Sequence, residues 1–217
     1  MILVPVKNLK HAKQRLAAVL DQPARTALAQ AMIHDVLEAI AGYADRPEVG
    51  VVTSDPFASE IARHFGFQII PDHTNASETA AIEMATAVCE RQGAASTLVI
   101  PGDIPLIESR ELGQIFDGAP ERGSVLVPAA DGRGTNAVLR KPPSLFPLRF
   151  GNDSFEPHLT AAQSTGWPCV VLSLPGIAGD VDHPDDLQQL VNRPGQTRSQ
   201  RLARQWNWSE YRLAAKQ

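Results

Sequence analysis

Short, uninterrupted apolar runs alternate with longer segments of helical periodicity along the first hundred residues. That alternation restricts the fold more than any other feature of the chain. Ile2–Val6 reads as a strand closed by the turn-like Lys7-Asn8, and Val49–Thr53, Phe67–Ile70 and Thr97–Ile100 repeat the pattern. Between them, Pro23–Ala41 sets Leu28, Met32, Val36, Leu37 and Ile40 at helical spacing, Pro56–Phe65 stops at Gly66, and Glu78–Gln92 supplies a third helix. Continuously apolar strands need cover on both faces, and strands separated by helices run parallel. The order β-α-β-α-β-α-β therefore predicts an α/β fold around a mainly parallel sheet. Farther along, helices are expected near Glu108–Phe116, Phe155–Thr165 and Pro184–Val191, with strands at Ser124–Pro128, Thr135–Leu139 and Cys169–Leu174. A chain of 217 residues suits one such domain with a sizeable core.

Charge divides the chain unevenly. Residues 193–217 hold six Lys or Arg against one Glu, a net of +5, whereas residues 1–192 carry 14 cations against 23 acids, a net of −9. The stretch from Arg193 through Pro194, Gly195 and Gln196 is linker-like, so a domain over 1–192 and a basic extension over 193–217 are expected. Leu202, Trp206 and Trp208 suggest that the extension docks, on its own body, on a symmetry partner in a homodimer, or as an arm for another enzyme. An acidic body argues against nucleic acid as the main partner. No run of apolar residues is long enough for a transmembrane helix, and MILVPVKNLK lacks the form of a signal peptide. Cys89 and Cys169 have no CxxC or His-rich company, which favours a cytoplasmic protein without structural disulfides or zinc.

In open parallel sheets, ligands sit beyond the carboxyl ends of the strands, so the residues that follow each strand are where chemistry is sought. Lys7, Lys10, Lys13 and Arg15 crowd the exit from the first strand and the approach to a helix, where an anion would offset their unfavourable placement; the bland reading is a solvated basic loop. Asp103 ends a buried-looking strand between Gly102 and Pro105, a position suited to Mg²⁺ or to a simple turn-capping role. Asp180 and Asp182 point to one side of an extended segment, where two carboxylates repel unless a cation lies between them. Asp185 and Asp186, after Pro184, read as helix-start acids. Asp131-Gly-Arg-Gly-Thr135-Asn136 and Arg149-Phe-Gly151-Asn-Asp-Ser154 leave backbone free for a close approach. Ser154 is expected to cap the next helix, with Arg133 or Arg149 adding charge. Cations after the first strand, acids after later ones and a Gly/Ser/Thr nest together suit a phosphate substrate with Mg²⁺.

PVKNLKHAKQRL, VIPGDIPL, DGRGTNAVL, RFGNDSF and GIAGDVDHPDDL, in this order over about residues 1–191, resemble the guanylyltransferase family of coenzyme F-420 biosynthesis, known as CofC or FbiD. The resemblance implies a GT-A-like nucleotidyltransferase fold, a three-layer α/β/α arrangement with a mainly parallel, Rossmann-like mixed sheet. It implies transfer of GMP from GTP to 2-phospho-lactate, phosphoenolpyruvate or 3-phosphoglycerate, with release of pyrophosphate and two Mg²⁺ ions. By that resemblance Asp103, Asp180 and Asp182 are metal ligands, and Thr135, Gly151 and Ser154 hold the phosphorylated acid. Lys7, Lys13 and Arg15 lie near the triphosphate, with Lys13 and Asp103 the catalytic pair. Where related enzymes carry Gly-Leu-Asn-Ala-Ala after the third strand, this chain has Ser77-Glu78-Thr79-Ala80-Ala81. A molybdopterin or sugar-phosphate nucleotidyltransferase is the nearest alternative, although those open with a Gly-rich loop. A non-catalytic nucleotide-binding protein is the alternative of a different class.

Overall fold

The computed structural model describes residues 1–73 and 76–206. Seven strands form one sheet: β1 (Ile2–Val6), β2 (Val49–Thr53), β3 (Gln68–Pro71), β4 (Thr97–Val99), β5 (Gly123–Pro128), β6 (Thr135–Lys141) and β7 (Cys169–Val171). Their spatial order is β3-β2-β1-β4-β6-β5-β7. β1 pairs in parallel with β2 and β4, β2 with β3, and β5 with β7, while β6 runs antiparallel to both of its neighbours. The expected mainly parallel, mixed sheet is thus what forms.

Among the described residues eight α-helices accompany it: α1 (Gln22–Ala41), α2 (Pro56–His64), α3 (Glu78–Arg91), α4 (Ser109–Asp117), α5 (Phe155–Ser164), the short α6 (Pro175–Ala178), α7 (Pro184–Asn192) and α8 (Arg198–Arg204). Because side chains alternate along a strand, each central strand feeds two cores. Ile2, Val4, Val51, Leu98 and Leu139 pack with α1, α2, α4 and α7. Leu3, Val52, Val99 and Val138 pack on the opposite face with Ala81, Ile82 and Ala85 of α3 and Ala162 of α5. Three features depart from the sequence reading beyond shifts of one or two residues at element ends. The strand expected to reach Leu174 ends at Val171 because Pro175 starts α6. The basic run after β1 is not the approach to a helix N-terminus: Leu9–His11 and Gln14–Leu16 are separate 3₁₀ turns, and α1 begins only at Gln22. Ser154 does precede α5, but its side chain makes no cap hydrogen bond.

Part of the basic extension belongs to the body. α8 lies on α1, where the buried Asp35 carboxylate accepts hydrogen bonds from the Arg198 and Ser199 N–H groups at 2.8 and 2.9 Å and from the Ser199 hydroxyl. Gln200 is fully buried and donates to the Leu190 and Arg193 carbonyls at 3.2 and 3.0 Å. Trp206 packs at the edge of the core; Trp208 lies outside the described residues. Among the described residues no helix is long and apolar enough to cross a membrane. Replacing Asp35 strands these donors, so Asp35→Ala is expected to cost about 2–3 kcal/mol in urea denaturation and to expose residues 193–204 to limited proteolysis.

Candidate active site

The carboxyl ends of β4 and β5 and the amino end of the antiparallel β6 open onto one polar cavity of about 470 Å³, lined by Arg15, Glu78, Asp103, Thr135, Asn136, Gly151, Ser154, Asp180 and Asp182 among others. A second cavity, of about 230 Å³, lies against the loop after β1 and is lined by Lys7, Asn8, Lys13, Met32 and Gly102. Glu78, Pro101 and Asp103 line both. Eight of the nine sequence-predicted site residues border the larger cavity or are bonded to residues that do. Lys7 is the exception: its ammonium is held by Asp72 at 2.8 Å and the Ser77 carbonyl at 3.1 Å, beside the smaller cavity.

Lys13 sits at the junction. Its backbone is left-handed, with φ 52°, and its ammonium lies 2.6 Å from Asp103 and 2.7 Å from Asp182. Burial opposes its charge, but the two carboxylates outweigh burial and raise its pKa above the ordinary lysine value. Asp182 is also met by Arg15 at 2.8 Å; burial pushes its carboxyl up, yet Lys13 and Arg15 hold it below the usual aspartate range. Arg15 reaches on to the Asn152 side chain at 3.0 Å and so ties the first loop to the segment before α5. The loop itself is anchored by Asp55, which caps α2 and accepts from the Leu9 N–H at 3.0 Å.

Asp180 has a different environment. Burial raises its pKa, and Asp103 and Asp182 raise it further, against a hydrogen bond from Asn136 at 3.1 Å. Asn136 was not singled out by sequence beyond its motif; it also donates to the Ile177 and Ala178 carbonyls, both at 3.0 Å, and fixes the path of the acidic segment. Asp186 accepts from the Asp182 and His183 N–H groups, as a helix-start acid should. Among the described residues no three His, Cys, Asp or Glu side chains converge as a ready metal cage. Mg²⁺, however, ordinarily takes only one or two carboxylates and completes its shell with water and substrate phosphate. Three hard oxygen donors on one cavity, one of them disfavoured as an anion, fit such an ion.

The other end of the cavity is built by the segment before α5. Gly151 has φ 128°, a conformation that other residues rarely adopt. The Ser154 hydroxyl, instead of capping α5, faces β6: it accepts from the Thr135 N–H at 3.0 Å and lies 3.3 Å from the Thr135 hydroxyl. His158, fully buried on α5, sits 3.0 Å from the same hydroxyl through Nδ1, while its Nε2 accepts from the Arg149 N–H at 2.8 Å. Burial, helped by Arg140, lowers the His158 pKa to about 4. Thr79 accepts from the Phe150 N–H at 2.9 Å and steadies this segment from α3. Arg133, by contrast, pairs with the exposed Asp153 at 2.5 Å.

Sequence reasoning missed His158 and Glu78. Phe155, His158, Leu159 and Ala162 share helical spacing, and that stripe was the available signal for a buried histidine. Glu78 looks like an ordinary first-turn acid of α3, but burial, with Asp103 close by, raises its pKa to about 7 against the pull of Lys7 and Lys13.

This sheet order defines a class by its fold, a mixed α/β sheet shared with solved transferases. A crystal structure from Desulfovibrio desulfuricans G20, described as a nucleotide-diphospho-sugar transferase, superposes with TM-score 0.78 at 18% identity over 98% of this chain and 96% of the other. A CMP:2-keto-3-deoxy-manno-octonic acid synthetase with CTP superposes with TM-score 0.57 at 16% identity, over 88% and 95%. Within that class, residues 1–209 match the family described as CofC-like guanylyl transferases, and the chain belongs to it as a nucleotidyltransferase. It is 38% identical over 94% of its length to phosphoenolpyruvate guanylyltransferase of Roseiflexus castenholzii, covering 93% of that protein. It is 34% identical to 3-phospho-D-glycerate guanylyltransferase of Colwellia psychrerythraea, over 88% of this chain and 90% of the other. With 2-phospho-L-lactate guanylyltransferase of Methanothermobacter thermautotrophicus it shares 32% identity, over 87% and 82%.

Removing the central ammonium tests the electrostatics directly. Lys13→Met leaves Asp103 and Asp182 without their shared counter-ion and is expected to cost about 2–3 kcal/mol at pH 7, less than a fully buried pair because both carboxylates are one-third exposed. The depressed Asp182 pKa makes this stabilisation complete above about pH 4 and progressively lost below it. Denaturation curves of wild type and variant should therefore separate at pH 7 and draw together as the pH falls below the ordinary aspartate range.

Proposed function

We propose that the chain transfers GMP from GTP to a small phosphorylated carboxylic acid, releasing pyrophosphate, as a step in coenzyme F-420 biosynthesis. The observation that carries this reading is the Lys13 ammonium held between Asp103 and Asp182 where the two cavities meet. The smaller cavity, beside Lys7 and Lys13, is assigned to the nucleotide, and the end with Thr135, Gly151 and Ser154 to the acid. Six relatives at 33–38% identity are named phosphoenolpyruvate guanylyltransferases, which makes phosphoenolpyruvate the first acceptor to test, ahead of 3-phosphoglycerate and 2-phospho-lactate.

The nucleophile is a phosphate oxygen of the acid, ionised at neutral pH, so no general base is required. His158, buried and uncharged, is not used as one. Catalysis then rests on alignment and charge. Lys13 and Arg15 offer cationic donors to the phosphates, and Thr135, Ser154 and the backbone around Gly151 orient the acceptor. Asp103, Asp180 and Asp182 would hold Mg²⁺, which would neutralise charge on the phosphate oxygens.

Pyrophosphate release should be measured with GTP, ATP and CTP against each of the three acids, with and without Mg²⁺. The expected result is turnover with GTP, Mg²⁺ and at least one acid. In Asp103→Asn it should fall at least a hundredfold while the melting temperature stays within a few degrees of wild type. Wild-type-like release from that variant overturns the assignment of Asp103. Turnover only with a sugar phosphate or a pterin overturns the acceptor, and tight GTP binding without any release points to a nucleotide-binding protein that does no chemistry.

A further inference from the structure

The direction of the hydrogen bond between His158 and Thr135 is fixed by the histidine's other partner. The Arg149 N–H can only donate, so His158 Nε2, 2.8 Å away, is an acceptor and carries no proton. The imidazole is uncharged at neutral pH, and its one proton is therefore on Nδ1, directed at the Thr135 hydroxyl oxygen 3.0 Å away. The Ser154 hydroxyl accepts from the Thr135 N–H at 3.0 Å and turns its own hydrogen toward that same oxygen at 3.3 Å. A hydroxyl oxygen has two lone pairs, and both are then engaged. All that Thr135 has left to offer is its proton. Thr135, Ser154 and His158 are buried, so bulk water does not scramble this arrangement.

We infer that His158 is a positioning residue that fixes Thr135 as an obligate hydrogen-bond donor, and thereby makes this end of the cavity selective for an oxyanion of the acceptor over a donor group in the same place. The inference rests on the reading of this cavity as the acceptor site. It explains why a buried histidine, distant from any proton transfer, lies beside a threonine and a serine that border the cavity. A histidine in the other tautomer would need a donor at Thr135, which would turn the threonine proton toward the imidazole and away from the ligand.

Two isosteric half-replacements separate the histidine's two bonds. The amide of Asn reaches the Nδ1 position and that of Gln the Nε2 position, so His158→Asn keeps a donor to Thr135 while His158→Gln keeps the partner of Arg149. In steady-state assays, His158→Gln should raise the KM for the phosphorylated acid about tenfold or more, His158→Asn should recover most of that loss, and the KM for GTP should stay within twofold in both. An unchanged acid KM in His158→Gln, or equal rises in both KM values, overturns the inference. The tautomer is read independently, by imidazole ¹⁵N shifts of His158 in the substrate-free wild-type protein at pH 7. A protonated Nδ1 with a bare Nε2 is expected; a protonated Nε2 overturns the inference even where the variants do not fold. Wild-type protein that releases no pyrophosphate with any of the three acids refutes the guanylyltransferase reading, whereas the tautomer measurement, made without substrate, still decides the role of His158.

Discussion

One ammonium group holds the active end of this molecule together. Lys13 brings its charge to Asp103, ninety residues away in sequence, and to Asp182, 169 residues away. Without it, the carboxylates that gather at the open end of the sheet would repel one another in a partly desolvated pocket. The left-handed backbone at Lys13 is part of the arrangement, because it joins the two 3₁₀ turns at the residue whose side chain reaches both carboxylates. Asp180, which lacks such a partner, shows the alternative: burial and its acidic neighbours make its charged form costly.

Around that point the site is supported by side chains from several elements, most of which do not border it. Arg140 is fully buried in β6 and donates to the Phe146 carbonyl at 2.6 Å and the Thr86 hydroxyl at 3.0 Å. Glu83 of α3 accepts from the Leu148 N–H at 2.7 Å and from Arg140 at 3.3 Å. With Thr79 on Phe150 and His158 on Arg149, four side chains fix consecutive turns of the segment that leads to Gly151 and Ser154. A loop held this way is pre-organised, which spares the ordering cost that a mobile binding loop pays when ligand arrives. On the other side Asp55 and Arg15 hold the loop that follows β1, and Asn136 holds the acidic segment after α6.

How legible the site was depended on how local each role is. Asp103 was visible because ligands of such sheets gather where strands end, and Asp180 and Asp182 because alternate residues of an extended segment point to one side. Asp186 was legible as a helix-start acid, a role decided within four residues. Ser154 was read as a cap on equally good local grounds, and the tertiary structure overruled it: Thr135, nineteen residues earlier, offers its N–H to the same hydroxyl. Lys7 was grouped with Lys13 and Arg15 by proximity in sequence, but Asp72 and the Ser77 carbonyl draw it aside. Nothing near Glu78 in sequence announces that its carboxyl faces two cavities.

The alternation of apolar runs and helical stretches determined by itself that the chain builds a covered, mainly parallel sheet. Burial of continuous hydrophobic strands admits few other solutions, and ligands of such sheets gather at the strand ends. The sequence also carried the motifs by which the family is recognised. Only the tertiary structure decided which cation neutralises which acid, that β6 runs against its neighbours, and that His158 has its proton on the side of Thr135. These depend on contacts between segments tens to hundreds of residues apart, where Coulomb energy and hydrogen-bond direction are set by distance in space and leave no periodic trace along the chain.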